Sequence, residues 1–350
     1  MYAYLLEGVL LSFFCVFGII ANTFGVLYFG KQNLRKQTFY GFMFILSTID
    51  LFFNATCLSA FSIPILANCK GFKSDDCNVS TGFWQCLVWL VPLSSIFRTG
   101  SIYFTLALSI ERYLVLCRPL LYNSKSWITK GVKVGCILFS ITFNFPKFFE
   151  FEWGREKSLI NGTLEEDEDP SLISTNLMKN NLYIEIYLCW LDLIFHGLIP
   201  FTTLIVLNIF VFNEMKRYKK KVNANTKEGQ KRSSEVYMAK FNFVVVVVFI
   251  LCYSLHYVPV IYRCYMILMP SMDENYLEEP IWIWVIISLS RVLEAFNSSI
   301  SFAWFLFKHR LIEKLVVKAK CPCFNHQLNS TDFSSNVLQT SLSNHQYNHY

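Results

Sequence analysis

The stretch SIERYLVLCRPL, residues 109–120, ends an apolar run that reaches back to Cys86. Between Cys86 and Ile110 the only charged residue is Arg98, and then Glu111 and Arg112 stand side by side. Such a pair is typical either of a helix that leaves a membrane with its charges at the surface, or of a charged switch at the membrane edge. The rest of the chain distinguishes these two interpretations.

The composition predicts a membrane protein. Of the 350 residues, 54% are hydrophobic and 16% are charged, whereas an ordinary soluble domain has about 25% charged residues. Backbone groups in lipid must be satisfied within their own segment, so apolar stretches of about 20 residues are expected to be helices. The predicted fold is therefore an all-α membrane protein with a seven-helix bundle. The seven stretches are Leu5–Phe29, Phe39–Leu66, Phe83–Cys117, Gly131–Phe149 (the weakest, because it carries Lys133 and Lys147), Tyr183–Phe212, Phe241–Met269 and Ile281–Phe307.

The loop charges alternate along the chain and predict its orientation. The segments after spans one, three, five and seven are basic, whereas residues 150–185 hold nine acidic and three basic residues. Because cytosolic loops are enriched in Lys and Arg, we expect an extracellular N-terminus and a cytosolic C-terminus in the plasma membrane. The first span is expected to act as a signal anchor. Two sequons in the predicted outer loops, at Asn78 and Asn161, are predicted to be glycosylated.

The ERY of residues 111–113, followed by CRPL, resembles the (D/E)RY motif of rhodopsin-like G-protein-coupled receptors. The resemblance implies that Glu111 holds Arg112 at rest and that activation releases Arg112 toward a heterotrimeric G protein, with Tyr113 completing the motif. A paired charge at a low-dielectric edge is the kind of bistable element that a switch requires.

Four polar residues inside the spans match further positions of that class. The resemblance implies that they form a cluster that holds a sodium ion in the inactive state. The alternative is a hydrogen-bonded structural network without an ion. These residues are Asn22, Asp50, Ser101 and Asn297.

FNFPKFFEFEW, residues 143–153, and NSSISFAWF, residues 297–305, resemble FMRFamide-type neuropeptide receptors of invertebrates, especially nematodes. The resemblance covers about residues 10–310. It implies a peptide ligand with an arginine beside an amidated phenylalanine, and therefore a pocket that offers acids and aromatic rings. An ion pair between Arg98 and Glu294 is one hypothesis for that pocket, and a purely structural pair is the alternative. The pocket candidates are Arg98, Glu185, Trp190, Asp192, Tyr257, Trp284, Arg291 and Glu294.

The chain also departs from the receptor class. CYSL, residues 252–255, replaces the usual CWxP of span six, and SFAWF, residues 301–305, replaces NPxxY of span seven. A weakly signalling or decoy receptor is therefore an alternative, as is a chemosensory receptor for a small molecule. Residues 150–188 lack the usual loop cysteine, so Cys86 is predicted to pair with Cys77 or Cys69.

The cytosolic side is predicted to hold three features. The seven-helix domain, residues 1–310, precedes an amphipathic surface helix, 311–323, and a disordered tail, 324–350. Cys321 and Cys323 suit palmitoylation, with two unmodified thiols as the alternative. The tail is rich in Ser and Thr, so phosphorylation and arrestin docking are expected, and the basic loop at 215–232 is expected to contact anionic lipid or the G protein.

Several classes are excluded on chemistry. Ser94 stands where an amine receptor carries Asp, and residues 281–307 contain no Lys for a retinal Schiff base. The sequence carries neither HExxH nor GxGD, and the histidines at 196 and 256 match no catalytic motif. The chain is therefore expected to be no enzyme and to need no metal, nucleic acid or cofactor other than the sodium ion considered above.

Overall fold

The computed structural model describes residues 4–31, 38–67, 81–123, 126–154, 157–160, 163–166, 171–221, 227–268 and 280–320. Seven helical stretches in these ranges are long and apolar enough to cross a membrane, and all seven predicted spans, including the weak fourth one, are confirmed. They are Tyr4–Phe29, Thr38–Leu66, Gln85–Cys117, Lys130–Phe149, Asn181–Arg217, Met238–Met266 and Ile281–Ile300, here called spans one to seven.

Most spans consist of one long α-helix with short irregular ends. The α-helices are Leu11–Phe29, Thr38–Cys57, Ile63–Leu66, Thr81–Cys117, Pro119–Asn123, Ser126–Asn144, Asn181–Tyr183, Ile199–Lys221, Lys227–Ser254, Tyr257–Leu268 and Ile281–Lys320. Wider π-helical turns cover Tyr4–Leu10, Leu58–Ser62, Ile184–Leu191 and Leu193–Leu198, and a 3₁₀ turn covers Phe145–Phe149.

The main irregularities of spans five and six accompany prolines. Span six is interrupted at residues 255–256, four residues before Pro259. A proline lacks the N–H that would bond the carbonyl of residue 255, and its ring crowds that carbonyl. In span five, Pro200 follows the two π-helical stretches. Such wide turns occur often at functional sites, and here they hold Glu185 and His196 with Asp192 between them.

Two short antiparallel strand pairs lie in the acidic segment between spans four and five, where the sequence predicted only a charged loop. Strand β1, Phe151–Gly154, pairs with β4, Ser171–Ser174, in the register Phe151↔Ser174. Strand β2, Lys157–Ile160, pairs with β3, Thr163–Glu166. The β1 strand also packs on the bundle, because Trp153 lies against the buried Ala60 and Leu87.

The apolar core fills two regions between the spans. Ile102, Leu204, Phe249 and Tyr253 pack together between spans three, five and six. Leu11, Phe53, Val292 and Ala295 pack between spans one, two and seven. Large apolar side chains also remain on the outside, such as Phe13 and Leu27, each more than 60% exposed. A helix bundle whose outer face is this apolar is suited to a lipid environment.

The chain divides into two compact units, Met1–Phe305 and Leu306–Tyr350. The seven spans lie in the first unit, and residues 306–320 of the second are helical. The proposed boundaries at 311 and 323 therefore stay predictions. Six predicted sites lie outside the described residues and stay predictions as well: Cys69, Cys77, Asn78, Asn161, Cys321 and Cys323. Their described counterpart, Cys86, is exposed.

Candidate functional site

The Glu111–Arg112 pair is a closed, bidentate ion pair at one end of span three. Arg112 Nε donates to Glu111 Oε2 at 2.5 Å, and Arg112 Nη2 donates to Oε1 at 2.6 Å. The exposed fractions are only 2% for Arg112 and 5% for Glu111. A guanidinium fork that meets both carboxylate oxygens in this way is the strongest common form of charged hydrogen bond.

The neighbours of this pair complete its enclosure. The Arg112 guanidinium lies 4.5 Å from the ring centroid of Phe39 on span two, a cation–π contact. The Tyr122 hydroxyl donates to Glu111 Oε1 at 3.3 Å, and burial raises the pKa of Tyr122. Tyr113 packs against the apolar cluster that includes Leu116 and Val211. We call Glu111, Arg112, Phe39 and Tyr122 the inner pair site.

A second polar group lies in the interior of spans one, two, three and seven. Ser101 donates its hydroxyl hydrogen to Asp50 Oδ1 at 2.7 Å. Asn22 donates from Nδ2 to the carbonyl of Ser298 at 3.1 Å. Asn297 is also buried, with 3% exposed. The structure thus brings Asp50 and Ser101 into direct contact and joins Asn22 to the same region of span seven.

Sequence reasoning missed two members of this group, Asn54 and Ser298. Asn54 Nδ2 donates to Ser298 Oγ at 2.6 Å and to the backbone carbonyl of Asp50 at 2.7 Å. A Cβ atom added to Gly18 would lie 2.6 Å from the side-chain Cγ of Asn54. Glycine at position 18 therefore leaves the space that Asn54 occupies. The signal was present in the sequence, because Asn54 follows Asp50 by one helical turn.

Arg98 lies at the centre of a third polar group, about 21 Å along span three from Arg112. The two atoms of the hypothesised pair, Arg98 Nη1 and Glu294 Oε1, are 3.7 Å apart. Arg98 Nη2 lies 3.9 Å from Asp192 Oδ1. Between them stands His256, whose Nε2 and Nδ1 lie 2.8 and 3.2 Å from Arg98 Nη1. We call Arg98, Asp192, His196, His256 and Glu294 the mid-bundle cluster.

On the span-five side of the mid-bundle cluster, both ring nitrogens of His196 have hydrogen-bond partners. His196 Nδ1 lies 2.7 Å from Asp192 Oδ1, and its Nε2 lies 2.8 Å from the hydroxyl of Thr99. Asn144 on span four donates from Nδ2 to the same hydroxyl at 2.8 Å. This order of carboxylate, imidazole and hydroxyl also occurs in hydrolases. Here Thr99 is fully buried, and its hydroxyl is held by neighbours on three sides.

The side of the cluster toward spans six and seven is only partly satisfied. Among the described residues, Arg98 Nε, Glu294 Oε1 and the hydroxyls of Tyr253 and Tyr257 are buried without an aligned hydrogen-bond partner. A buried polar atom left unpaired costs about 1–3 kcal/mol. Four such atoms in one place indicate a site that a ligand, water or a rearrangement completes.

The remaining pocket candidates do not join this cluster. Glu185 is half-buried, and the exposed fractions of Trp190 and Trp284 are 39% and 48%. Arg291 instead donates to Glu7 Oε1 at 2.5 Å and lies 4.2 Å from the ring centroid of Phe61. Tyr257 is 5% exposed and packs edge-on against His256. Of the eight pocket candidates, the structure therefore brings four into one group: Arg98, Asp192, Tyr257 and Glu294.

Sequence reasoning also missed the partners of these four residues. No motif singles out His196, His256, Thr99 or Asn144 as members of a site. One signal was available, because His196 follows Asp192 by four residues and must share its helix face. The other contacts join spans three, four, six and seven, so no local pattern could reveal them.

Lys147 and Glu150 extend this charged group toward the end of span four. Charge–charge interactions connect Lys147 with Arg98 and Asp192. Glu150, just beyond span four, accepts a hydrogen bond from the Tyr183 hydroxyl at 2.8 Å. Burial raises the pKa of the Glu150 carboxyl above its usual range. The predicted acidic outer surface is thus partly buried at this residue.

Comparison with known proteins agrees with this architecture. The model of the family "7 transmembrane receptor (rhodopsin family)" matches residues 22–300. The chain is 26% identical over 303 residues to an FMRFamide receptor of Drosophila melanogaster, which covers 84% of this chain and 50% of that protein. It is 25% identical over 313 residues to the FMRFamide peptide receptor frpr-18 of Caenorhabditis elegans, which covers 87% and 67%. With the human adenosine receptor A2b it shares 24% identity over 206 residues, 58% and 60% of the two chains.

The chain belongs to the rhodopsin family of seven-transmembrane receptors. It is thus a multi-pass membrane protein of a family of signalling receptors rather than enzymes, and both predictions are confirmed. The resemblance to FMRFamide receptors is confirmed at modest identity. The chain spans about half the length of the Drosophila relative that it matches.

Proposed function

We propose that the protein is a plasma-membrane receptor for a short extracellular peptide of the FMRFamide type and that it signals through heterotrimeric G proteins. One observation carries this proposal: two relatives that align with 84% and 87% of the chain are FMRFamide receptors. The ligand side is the extracellular side in the orientation that the loop charges predict, with the N-terminus outside and the inner pair site at the cytosolic edge.

In this proposal, the mid-bundle cluster receives the basic group of the ligand. A peptide arginine would compete with Arg98 for Asp192 and Glu294, whose contacts with Arg98 are 3.9 and 3.7 Å long. Contacts of this length are looser than a charged hydrogen bond, which is about 2.7–2.9 Å. Tyr257, packed against the cluster, would contact the phenylalanine ring of the ligand.

The signal would end at the inner pair site. Release of Arg112 from Glu111 frees a guanidinium at the cytosolic edge, where a G protein could bind it. The altered motifs of spans six and seven leave the strength of coupling for the experiment to measure. Docking of arrestin on the tail, contact of the basic loop with lipid, palmitoylation of Cys321 and Cys323, and the Cys86 disulfide belong to the same proposal.

The Asp50 group offers oxygen ligands that fit a sodium ion. Besides the carboxylate and the Ser101 hydroxyl, Asn22 Oδ1 and Asn54 Oδ1 are buried without a hydrogen-bond partner among the described residues. Hard cations prefer such oxygen ligands. We propose that a sodium ion binds here and stabilises the resting state.

The function is tested in cultured cells that express the chain with a panel of G proteins. Calcium and cAMP are measured against amidated peptides that end in Arg-Phe, with surface expression quantified in parallel. We expect a saturable response that Arg112→Ala abolishes. Silence toward all peptides, with normal surface expression, would contradict the peptide assignment and favour a small-molecule ligand or a receptor that binds without signalling.

Two variants locate the basic group of the ligand. Asp192→Asn is expected to weaken the response to the Arg-Phe peptide by about tenfold or more, because one carboxylate in the cluster is lost. Glu185→Gln, the same kind of change about two turns away on span five, is the matched control and is expected to change potency less than about threefold. Equal losses in both variants would place the ligand elsewhere.

A further inference from the structure

We propose that Cys189 of span five and Cys264 of span six form a redox-sensitive pair, which hydrogen peroxide joins in a disulfide that ties the outer parts of the two spans together. This goes beyond peptide recognition, because the site is modified covalently and responds to an oxidant. Neither thiol takes part in the proposed peptide site.

The two thiols meet where spans five and six contact each other. Cys189 lies in the π-helical stretch Ile184–Leu191, and Cys264 lies in the helix Tyr257–Leu268. They pack with Val260 in one buried cluster, and a hydrogen bond joins the two thiols. Sulfurs that are already in contact need only a small movement to form a disulfide bond of about 2.05 Å.

The pair lies toward the outer ends of its two spans. In the orientation that the loop charges predict, span five begins and span six ends on the extracellular side. Cys264 lies close to Met266, the last residue of span six, and Cys189 lies about two helical turns after Asn181, the first residue of span five. The extracellular side is oxidising, so an oxidant approaches the pair from its nearer end.

Burial determines which oxidant can reach the pair. Cys189 is 1% exposed and Cys264 is 7% exposed. A bulky oxidant, such as a small-molecule disulfide, does not fit into so little open space. Hydrogen peroxide is small and uncharged, so it can enter apolar surroundings, and it meets the slightly more accessible Cys264 first.

The chemistry needs one peroxide and the two thiols. The sulfur of Cys264 attacks one peroxide oxygen, the O–O bond breaks, and a sulfenic acid and one water form. The sulfur of Cys189 then attacks the sulfenic sulfur, so the S–S bond forms, the S–O bond breaks and a second water leaves with the proton of Cys189. The two sulfurs lose two electrons in total, and the peroxide gains them.

The disulfide would act on the peptide site, and this step rests on the proposed function. Asp192 follows Cys189 by about one turn of span five, and Tyr257 is on the same helix as Cys264. The bond therefore restrains the separation of Asp192 and Tyr257, the groups proposed to bind the arginine and the phenylalanine of the peptide. A peptide that must fit between them should act only at a higher concentration.

A second cysteine pair provides an internal comparison. Cys15 on span one and Cys57 on span two are also buried in one apolar cluster, with 0% and 4% exposed. A charge–charge interaction connects the two thiols, but no hydrogen bond joins them among the described residues. We therefore expect peroxide to leave this pair unlinked.

The first test needs neither a ligand nor a G protein. Purified receptor in detergent is treated with hydrogen peroxide, its free thiols are blocked, and disulfide-linked peptides are identified by mass spectrometry. We expect a Cys189–Cys264 linkage and a rise of the unfolding midpoint of about 3 °C or more, both reversed by dithiothreitol. Cys264→Ser should lose both effects, and Cys57→Ser, the matched control, should keep both.

The mapping in wild type does not depend on any variant, so it decides the site even if Cys264→Ser folds poorly. Absence of the Cys189–Cys264 linkage would overturn the proposal. An equal rise of the midpoint in wild type and Cys264→Ser would overturn it as well, because the stabilisation would then come from another site.

The second test measures the response of intact cells to the Arg-Phe peptide before and after brief exposure to peroxide. Wild type should need about fivefold more peptide after exposure, and Cys264→Ser less than about twofold more. Equal changes in both, or unchanged potency with the linkage present, would overturn the switch. Silence of untreated wild type would contradict the peptide assignment instead, and the first test would still decide the disulfide.

Discussion

The inner pair site and the mid-bundle cluster use the same chemistry, an arginine of span three beside carboxylates, in opposite ways. Arg112 meets one carboxylate through two bonds of 2.5 and 2.6 Å. Arg98 meets two carboxylates at 3.7 and 3.9 Å, with an imidazole between them. A bidentate pair is stable until one partner is pulled away, whereas a loose group can redistribute its contacts.

The difference follows from how the partners are supplied. Glu111 precedes Arg112 in the chain, so the pair forms within one helix and needs no other span to place it. The partners of Arg98 come from spans five, six and seven, so its contacts depend on how those helices pack. A movement of those helices therefore changes the contacts of Arg98 directly. The Glu111–Arg112 pair opens only when another group competes for one of its two side chains.

The largest effect is expected from Glu111→Gln, which breaks the closed pair. Arg112 is 2% exposed and would remain as a buried charge without its carboxylate, a change that costs about 3–5 kcal/mol. We expect a lower midpoint of thermal unfolding together with raised basal signalling, because Arg112 is released. Glu294→Gln is the matched change in the loose cluster and should cost less, since Arg98 keeps Asp192 and His256. Equal losses of stability would show that the two sites do not differ as described.

Exchange of the charges of Arg98 and Glu294 tests the mid-bundle cluster next. Arg98→Glu and Glu294→Arg are each expected to lower surface expression and the unfolding midpoint, because each leaves like charges together. The double exchange should recover part of the loss, but not all, because the carboxylate introduced at position 98 would then stand beside Asp192. Partial recovery is measured by a double-mutant cycle on the unfolding midpoints. A double variant no better than the poorer single variant would show that the residues do not interact.

Thr99→Val tests whether the buried hydroxyl of Thr99 stabilises the mid-bundle cluster. The change removes the hydroxyl that Asn144 donates to and that His196 contacts, so buried polar groups lose their partners at a cost of about 1–3 kcal/mol. Thr202→Val is the control, because Thr202 is exposed and its hydroxyl donates to the carbonyls of Leu198 and Ile199 on its own span. We expect the control to change unfolding by less than about 0.5 kcal/mol. Similar values for both variants would contradict the role of Thr99.

The smallest effect is expected from Tyr122→Phe at the inner pair site. The change removes the hydrogen bond of 3.3 Å to Glu111 and the hydrogen bond with Thr38, and it leaves the bidentate pair in place. We expect a loss of about 0.5–1 kcal/mol and slightly higher basal signalling. Tyr113→Phe is the comparison, because the hydroxyl that it removes bonds Arg118, and it should raise basal signalling less than Tyr122→Phe does. A Tyr122→Phe effect as large as that of Glu111→Gln would mean that the tyrosine, not the arginine fork, closes the site.

Local pattern was sufficient for several features. Length and hydropathy determined the seven spans, because a membrane leaves a helix as the only structure that satisfies its own backbone. Resemblance to the receptor motif predicted the Glu111–Arg112 pair, and helical spacing placed Ser101 on the same span as Arg112. The two strand pairs of the acidic segment escaped prediction, because each strand has only four residues, too few for hydrophobic alternation to distinguish a strand from a loop.

The full membership of the mid-bundle cluster, by contrast, was decided by the tertiary structure. The sequence offered eight pocket candidates, and packing joined Arg98, Asp192, Tyr257 and Glu294 while it left Trp190 and Trp284 exposed. Packing also recruited His256, whose place depends on the interruption that precedes Pro259. The physical reason is that a single span fixes only the face on which a side chain lies. Which partner meets that face depends on the rotation and depth of every neighbouring helix, and no window of sequence contains that information.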